Sequence, residues 1–172
     1  MPRPHTVMLY SLRATLVLLV LFLVARATLV TSYRVSGASM RETLEDGDRI
    51  LVCEIQELID PPGVGETVIL DVHDEILVKR VVAGPGDTIS MFRGQVIRNG
   101  HYLREDIPQE LSRSDTFPDY TLAGDEYFVL GDNRRVSIDS REFGPVSRDQ
   151  VVGRVLFRIG AHGVSTVAAL GR

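Results

Sequence analysis

Residues 76–87 read ILVKRVVAGPGD, and this stretch decides the fold class. Its first seven residues are mostly Ile, Leu and Val, the composition of a short strand, with Lys79 and Arg80 in their midst. Gly84-Pro85-Gly86-Asp87 follows directly and is a strong turn signal. A short apolar run that ends at such a turn predicts a β-strand rather than a helix.

Short apolar runs and turns alternate through the rest of the chain after residue 35. Asn99-Gly100 lies between two β-prone runs and favours a hairpin. Residues 104–124 are polar with scattered proline and serine, as in a surface excursion. No 3.6-residue periodicity is sustained, so the sequence predicts a mainly β fold. Further strands are predicted at 49–54, 67–70 and 127–130.

Composition and charge argue against several functional classes. The chain has 172 residues, with 19 basic residues, 23 acidic residues and one cysteine. The acidic balance argues against nucleic-acid binding. The single Cys53 excludes a disulfide framework, and the four histidines lack metal-ligand spacing. We therefore expect no metal, no cofactor and no nucleic-acid partner.

The N-terminal region differs from the rest in charge and hydropathy. Residues 1–41 contain five arginines and no acidic residue, and residues 14–25 form an uninterrupted apolar run, ATLVLLVLFLVA. As a helix, residues 14–33 are about 30 Å long, which is the thickness of a bilayer core. The apolar side chains favour insertion by more than the off-centre Arg26 opposes it. The arginines before the run predict a cytoplasmic N-terminus.

A cleaved signal peptide fits the same residues. The preceding arginines make a basic n-region, the apolar run makes an h-region, and Ala25-Arg26-Ala27 matches a cleavage site of the A-x-A type. A buried helix of a soluble protein is a third interpretation. From these residues alone, the membrane anchor and the signal peptide fit equally well.

Lys79 is the only lysine, because the other 18 basic residues are arginines. A lysine in a strand usually faces solvent or protects a sheet edge. The exclusive use of arginine elsewhere favours a chemical role for Lys79, since lysine can serve as a base and arginine cannot. An ordinary lysine is neutral in only about one molecule in 2,500 at pH 7. A lysine base therefore needs a dry site, which the flanking apolar residues can provide.

Ser39 lies among small residues in the sequence SGASM at 36–40. A serine in such a context is most often a turn residue, but small neighbours also leave a nucleophile accessible. A serine hydroxyl attacks well only when a base takes its proton. Ser39 and Lys79 therefore make a workable nucleophile and base.

A third polar segment, GDNRRVSIDSREFG at 131–144, follows a predicted strand. One interpretation is a charged, solvated loop. In the other, the loop orients the base: Ser137 hydrogen-bonds the lysine amine, and Asp139 with Arg141 forms an ion pair that fixes the loop.

Together these segments resemble the bacterial type I signal peptidases, also called leader peptidases. An apolar N-terminal segment precedes four family motifs in the same order, and the likeness covers most of residues 14–159. The motifs are Ser39-Met40 with Thr43-Leu44, then residues 47–52, residues 79–87, and residues 131–134 with Ser137, residues 139–141 and Gly144.

The resemblance implies a membrane-bound serine endopeptidase. Such an enzyme removes N-terminal signal peptides from exported preproteins after a small residue, at a site of the Ala-x-Ala type. Ser39 is then the nucleophile and Lys79 the general base. The resemblance also implies supporting roles for Ser137, Asp139, Arg141, Asp132 and Arg134. It assigns the substrate pocket to Val35, Met40, Leu44, Leu77 and Val78.

The implied fold is mainly β, an antiparallel-sheet catalytic core with a small inserted β lobe at about residues 90–124. Residues 1–13 would be a cytoplasmic tail, 14–34 a single transmembrane anchor and 35–172 an extracytoplasmic catalytic domain. The implied location is the cytoplasmic (inner) membrane, with preproteins and the lipid bilayer as partners and no metal or cofactor.

Two positions depart from the family pattern. Glu42 stands where the family usually has proline, which makes the turn after Ser39 less rigid. Gly37 stands where some members supply a hydroxyl to the oxyanion hole, so the hole would rest on the Ser39 backbone N–H.

Two alternative functions remain at this point. A self-cleaving Ser/Lys protease of the repressor type shares the dyad, but the apolar run at 14–25 argues against it. A catalytically inactive, membrane-tethered β domain that binds exported proteins is disfavoured because Ser39, Lys79 and Ser137 are all present.

Overall fold

The computed structural model describes residues 13–20, 30–41, 43–54, 61–104, 115–161 and 163–167. Within these ranges the chain is mainly antiparallel β, as the sequence predicts. The strands are β1 (Val30–Arg34), β2 (Arg49–Cys53), β3 (Thr67–Val72), β4 (Glu75–Ala83), β5 (Thr88–Phe92), β6 (Gln95–Arg98), β7 (His101–Tyr102), β8 (Phe117–Thr121), β9 (Glu126–Leu130), β10 (Val146–Ser147), β11 (Val151–Gly160) and β12 (Gly163–Thr166).

A large antiparallel sheet forms the body of the molecule. Its strands follow the order β1-β2-β11-β3-β4-β9-β10, and β12 adds to β11. The central strand β3 contains Val68, Ile69 and Leu70, all fully buried, because both faces of the sheet are covered there. This continuous apolar run is therefore typical of an interior strand. Strand β4 lies beside it and pairs with it along its length.

A second, smaller sheet follows β4 in the chain. Its order is β7-β6-β5-β8, and β6 and β7 form a hairpin that turns at Asn99-Gly100. This sheet falls within the region where the sequence predicts an inserted lobe. Ile89, Met91 and Val96 from the small sheet pack with Phe128 and Leu130 from the large one. The two sheets therefore share a hydrophobic core.

Strand β4 carries one buried basic residue on each of its two faces, Lys79 and Arg80. Leu77 and Val81 pack into one apolar cluster and Val78 into another on the opposite face. Alternation along the strand places Lys79 on the first face and Arg80 on the second. Their side chains are 2% and 1% exposed. The surroundings of these two buried basic side chains are described with the site below.

The N-terminal segment is described only in part. Residues 13–20 are helical, and residues 21–29, including Ala25-Arg26-Ala27, lie outside the described ranges. No helix in the described part of the chain combines the length and apolar character required to cross a bilayer. The end of the predicted anchor needs correction, since residues 30–34 form strand β1. Their backbone pairs with β2, from Val30 opposite Cys53 to Arg34 opposite Arg49.

Candidate active site

Ser39 lies in the connection between β1 and β2. The Val35 N–H donates to Asp48 O at 2.8 Å and the Gly47 N–H donates to Val35 O at 2.9 Å, which closes the base of this connection. Met40, next to Ser39, and Leu44, whose N–H donates to Met40 O, are almost completely buried and hold the turn against the core. Ser39 is therefore a partly exposed residue on a firmly anchored turn.

The backbone conformation at Gly37 favours glycine. Its φ of 94° lies in the region that favours glycine, and its N–H donates to Asp46 Oδ1 at 2.9 Å. A Cβ at this position would meet no atom within 4 Å, so the obstacle to a side chain is backbone strain and not space. A hydroxyl-bearing residue would be strained here. Glu42, the other departure from the family pattern, lies outside the described residues.

Lys79 projects from β4, opposite Val68 of β3. Its side chain is buried, and burial is the main reason why its pKa lies below the ordinary value for lysine. The Arg141 charge lowers this pKa further, whereas Asp139 and Asp132 act in the opposite direction. Among the described residues no carboxylate lies within ion-pair distance of the amine. The environment therefore favours the neutral form of Lys79 more than water does.

Two cavities open at Ser39 and Lys79, and both residues line both cavities. The smaller has a volume of about 230 Å³ and is lined mainly by apolar side chains. The larger, of about 530 Å³, extends between the β3–β4 turn and the segment 136–143. A group bound in either cavity has Ser39 and Lys79 in its wall.

Four of the five predicted pocket residues line the smaller cavity: Val35, Met40, Leu77 and Val78. Leu44 lines neither cavity. Its side chain is 1% exposed and packs into the core with Ile50 and Val52, because the turn after Ser39 points it inward. The sequence analysis missed five residues of this wall: Tyr33, Arg34, Ser36, Ile69 and Ile76.

Asp139 and Arg141 form the predicted ion pair. Arg141 Nε and Nη2 donate to the two Asp139 oxygens at 2.8 Å each, and the Gly131 N–H donates to Asp139 Oδ2 at 3.0 Å. Burial opposes ionisation of Asp139, but the hydrogen bonds and charge of Arg141 outweigh it, and the Asp139 pKa is lowered. Asp139 also caps the short helix Ser140–Phe143. Arg141 reaches on to Asp115 at 2.9 Å.

Asp132 is paired with a residue of β4. The resemblance implies a supporting role for Asp132 and Arg134. Asp132 accepts two hydrogen bonds from the buried Arg80, at 2.8 and 2.6 Å, and one from the Thr43 hydroxyl. Arg134 donates to Gly131 O at 2.9 Å. In the sequence, Arg80 is simply the residue after Lys79. No feature of its sequence context predicts the contact with Asp132.

The loop that follows β9 lies directly against the Ser39 turn. The Asn133 N–H donates to Ser39 O at 2.9 Å. A Cβ on Gly131 would lie 2.6 Å from Ser39 O and would also overlap Ser137. Ser137 is 1% exposed, and its Oγ has no hydrogen-bond partner among the described residues. Gly131 thus allows Ser39 and Ser137 to approach the same point.

The described residues include no group of three or more His, Cys, Asp or Glu side chains arranged to hold a metal ion. Cys53 is a free, buried thiol in β2. His73, one of the four histidines, is exposed and lines the larger cavity.

Comparisons with known proteins identify the family of this chain. Residues 8–160 match the family model described as signal peptidase, peptidase S26. Signal peptidase I of Bacillus amyloliquefaciens is 34% identical over 155 residues, which cover 84% of each chain. Probable signal peptidase I-1 of Synechocystis is 30% identical, over 91% of this chain and 85% of the relative. A crystal structure of signal peptidase I from Enterococcus faecalis is 28% identical, with a TM-score of 0.46, over 54% of this chain and 95% of that one.

These matches identify the chain as a serine endopeptidase, a hydrolase of peptide bonds. The chain belongs to the signal peptidase family, peptidase S26.

Proposed function

We propose that this chain cleaves N-terminal signal peptides from exported preproteins after a small residue, with Ser39 as the nucleophile and Lys79 as the general base. The observation that carries the proposal is the shared position of the two residues. Both line the same two cavities, and Lys79 is buried with a lowered pKa. A neutral amine beside a serine hydroxyl is what a Ser/Lys protease requires.

The reaction begins when neutral Lys79 Nζ takes the proton from Ser39 Oγ. The oxygen then attacks the carbonyl carbon of the scissile peptide bond, and negative charge develops on the carbonyl oxygen. The Ser39 backbone N–H is the donor nearest in the sequence to stabilise that charge. The Lys79 ammonium passes its proton to the leaving amine as the C–N bond breaks. An ester links the signal peptide to Ser39.

Water completes the cycle. Neutral Lys79 takes a proton from water, the hydroxide attacks the ester, and Ser39 leaves with the proton from Lys79. This scheme uses only groups of the chain and water. Ser137, whose hydroxyl is buried near Gly131, is assigned to orient the Lys79 amine, and the Asp139–Arg141 pair fixes the loop that carries Ser137.

The smaller cavity is the assigned site for the residue before the scissile bond and for the one two positions earlier. Its volume of about 230 Å³ and its apolar wall of Val35, Met40, Leu77 and Val78 suit small side chains such as alanine. Large side chains at these positions would overlap a wall that is part of the hydrophobic core.

We assign the apolar N-terminal segment to a single membrane anchor, with the N-terminus in the cytoplasm and the catalytic domain outside. The family is membrane-associated. Since β1 starts at Val30 and Ser39 follows it closely, such an anchor would hold the site near the bilayer. Tethering of this kind raises the effective concentration of membrane-bound substrates.

A cleavage assay on the full chain in detergent tests the proposal. The substrate is a preprotein with alanine at −3 and −1, and mass spectrometry locates the cut. We expect one cut after the −1 alanine, reduced about 10⁶-fold in Ser39→Ala, as for other serine nucleophiles. Near-normal turnover by folded Ser39→Ala would contradict the mechanism. No cut by the folded wild-type chain would favour a binding domain.

A further inference from the structure

Arg141 binds two carboxylates that lie in different parts of the chain. Its Nε and Nη2 donate to Asp139 in the same segment, and its Nη1 donates to Asp115 Oδ2 at 2.9 Å. Asp115 precedes Arg141 by 26 residues and lies just before strand β8 of the small sheet. The family resemblance implies supporting roles for Asp139 and Arg141, but it implies none for Asp115. The Asp115 contact joins the small sheet to the segment 131–144.

The backbone at Asp115 is fixed to the small sheet. The Gly94 N–H, in the turn between β5 and β6, donates to Asp115 O at 2.9 Å. The Arg93 N–H, in the same turn, donates to the Thr116 hydroxyl at 3.1 Å. Strand β8 begins at the next residue, Phe117, and pairs with β5. Asp115 is therefore held in place independently of Arg141.

Ser137 lies in a stretch with little apolar packing of its own. It is buried, but Val136 and Ile138 on either side are 59% and 63% exposed. The Arg141 guanidinium reaches across this stretch, where Nη2 donates to Arg134 O at 2.8 Å and to Ser137 O at 3.4 Å. The position of Ser137 therefore depends on hydrogen bonds, and those from Arg141 depend on how the guanidinium is oriented.

The two carboxylates act differently on this guanidinium. Asp139 is two residues from Arg141 and also accepts the Gly131 N–H, so its contacts close the segment 131–141 on itself. Asp115 lies outside the segment and connects it to the small sheet. A guanidinium is planar and rigid, so carboxylates on two of its edges fix its orientation. Since the Arg141 side chain is only 4% exposed, water is a poor substitute for the Asp115 carboxylate.

We propose that Asp115 is a positioning residue for the cleavage reaction, because it holds Arg141 in the orientation that keeps Ser137 in place for Lys79. This inference rests on the proposed function, since it requires the role assigned there to Ser137. Asp115 lines neither cavity at the dyad, so it acts through Arg141 and not on the substrate. Its removal should therefore lower kcat and leave KM nearly unchanged.

A double-mutant cycle tests this path, because two residues that act through one another have non-additive effects. We would measure kcat and KM with the full chain in detergent, on a preprotein with alanine at −3 and −1. The cycle consists of the wild type, Asp115→Ala, Ser137→Ala and the double variant, each shown to be folded by circular dichroism. If Asp115→Ala does not fold, the nearly isosteric Asp115→Asn takes its place. The matched control is Asp119→Ala, which removes an exposed carboxylate from β8.

We expect kcat to fall about three- to tenfold in Asp115→Ala, less than the roughly 10²-fold loss that a full 1 Å misplacement can cause. Asp119→Ala should match the wild type, and Asp115→Ala should cause no further loss once Ser137 is alanine. A wild-type kcat in Asp115→Ala would overturn the inference alone. An equal loss with and without the Ser137 hydroxyl would overturn it too, because Asp115 would then act by another route. Failure of the folded wild type to cleave would overturn the proposed function, and this inference with it.

Discussion

Arg80 binds Asp132 through two hydrogen bonds of 2.8 and 2.6 Å between fully buried groups. This pair connects the two halves of the site. Arg80 follows Lys79 in β4, and Asp132 precedes Asn133, whose N–H donates to Ser39 O. The Thr43 hydroxyl, on the Ser39 turn, also donates to Asp132. The strand that carries the base is thus fastened to the loop that contacts the nucleophile.

Removal of one partner of this buried pair should destabilise the fold strongly. We expect Arg80→Met to lower the free energy of unfolding by about 3–5 kcal/mol, because it leaves the Asp132 carboxylate buried without its cation. Urea unfolding followed by circular dichroism measures the change. Arg98→Met is the control, since its pair with Asp87 is partly exposed and contributes about 1 kcal/mol or less. Equal effects of the two substitutions would contradict the role of the Arg80–Asp132 pair.

Gly131 should tolerate no side chain. A Cβ there would lie 2.6 Å from Ser39 O and would overlap Ser137, so Gly131→Ala must displace one of the two serines. We expect kcat/KM for signal-peptide cleavage to fall at least tenfold, by analogy with other small misplacements of catalytic groups. Gly124→Ala is the matched control, because a Cβ there meets nothing within 4 Å. Unchanged cleavage by Gly131→Ala would show that the close approach of these residues does not matter.

Substitutions of two serines in the segment 131–144 should distinguish a catalytic role from a structural one. Ser137 Oγ is buried without a partner among the described residues, whereas Ser140 Oγ accepts the Val129 N–H at 2.9 Å. We expect Ser137→Ala to lower kcat and leave the free energy of unfolding nearly unchanged. Ser140→Ala should lower that free energy by about 1 kcal/mol, because it leaves a buried N–H unpaired. A loss of stability in Ser137→Ala equal to that in Ser140→Ala would assign Ser137 a structural role.

Much of this architecture follows from local sequence. Short β-branched segments between turns favour strands over helices, and three such predicted runs lie in strands: 49–54, 67–70 and 76–82. The pairing of Asp139 with Arg141 was also predictable, since the two are close in sequence. The Arg80–Asp132 pair was not, because 52 residues separate the partners and the sheet order alone brings them together.

Side-chain direction and strand boundaries were equally hard to predict. Leu44 matched a pocket position by resemblance, but the direction of the turn buries it in the core. Residues 30–34, the end of the predicted anchor, form β1. Their backbone pairing with β2 outweighs the preference for helix that the preceding apolar residues suggest. Ile69 and Tyr33 line the pocket from strands whose place beside it no local sequence signal indicates.

The cleavage rate should rise with pH. Lys79 acts as the neutral amine, so protonation inactivates it, and burial lowers its pKa below the ordinary value of 10.5. We expect the rate to rise through this lowered pKa and level off before pH 10.5. Asp139→Asn should shift the rise to lower pH, because the Asp139 charge favours the protonated amine. A rate that falls with pH, or a shift in the opposite direction, would contradict Lys79 as the base.

The most direct test of the Ser39–Lys79 mechanism is the single-turnover cleavage rate of Lys79→Arg, measured beside Lys79→Ala and the wild type. Circular dichroism establishes that each variant is folded. Arginine keeps the positive charge and much of the length of lysine, but it cannot accept a proton at any pH used. We predict that Lys79→Arg is as inactive as Lys79→Ala. Substantial cleavage by Lys79→Arg would contradict the mechanism, because Lys79 would then act through its charge and not as a base.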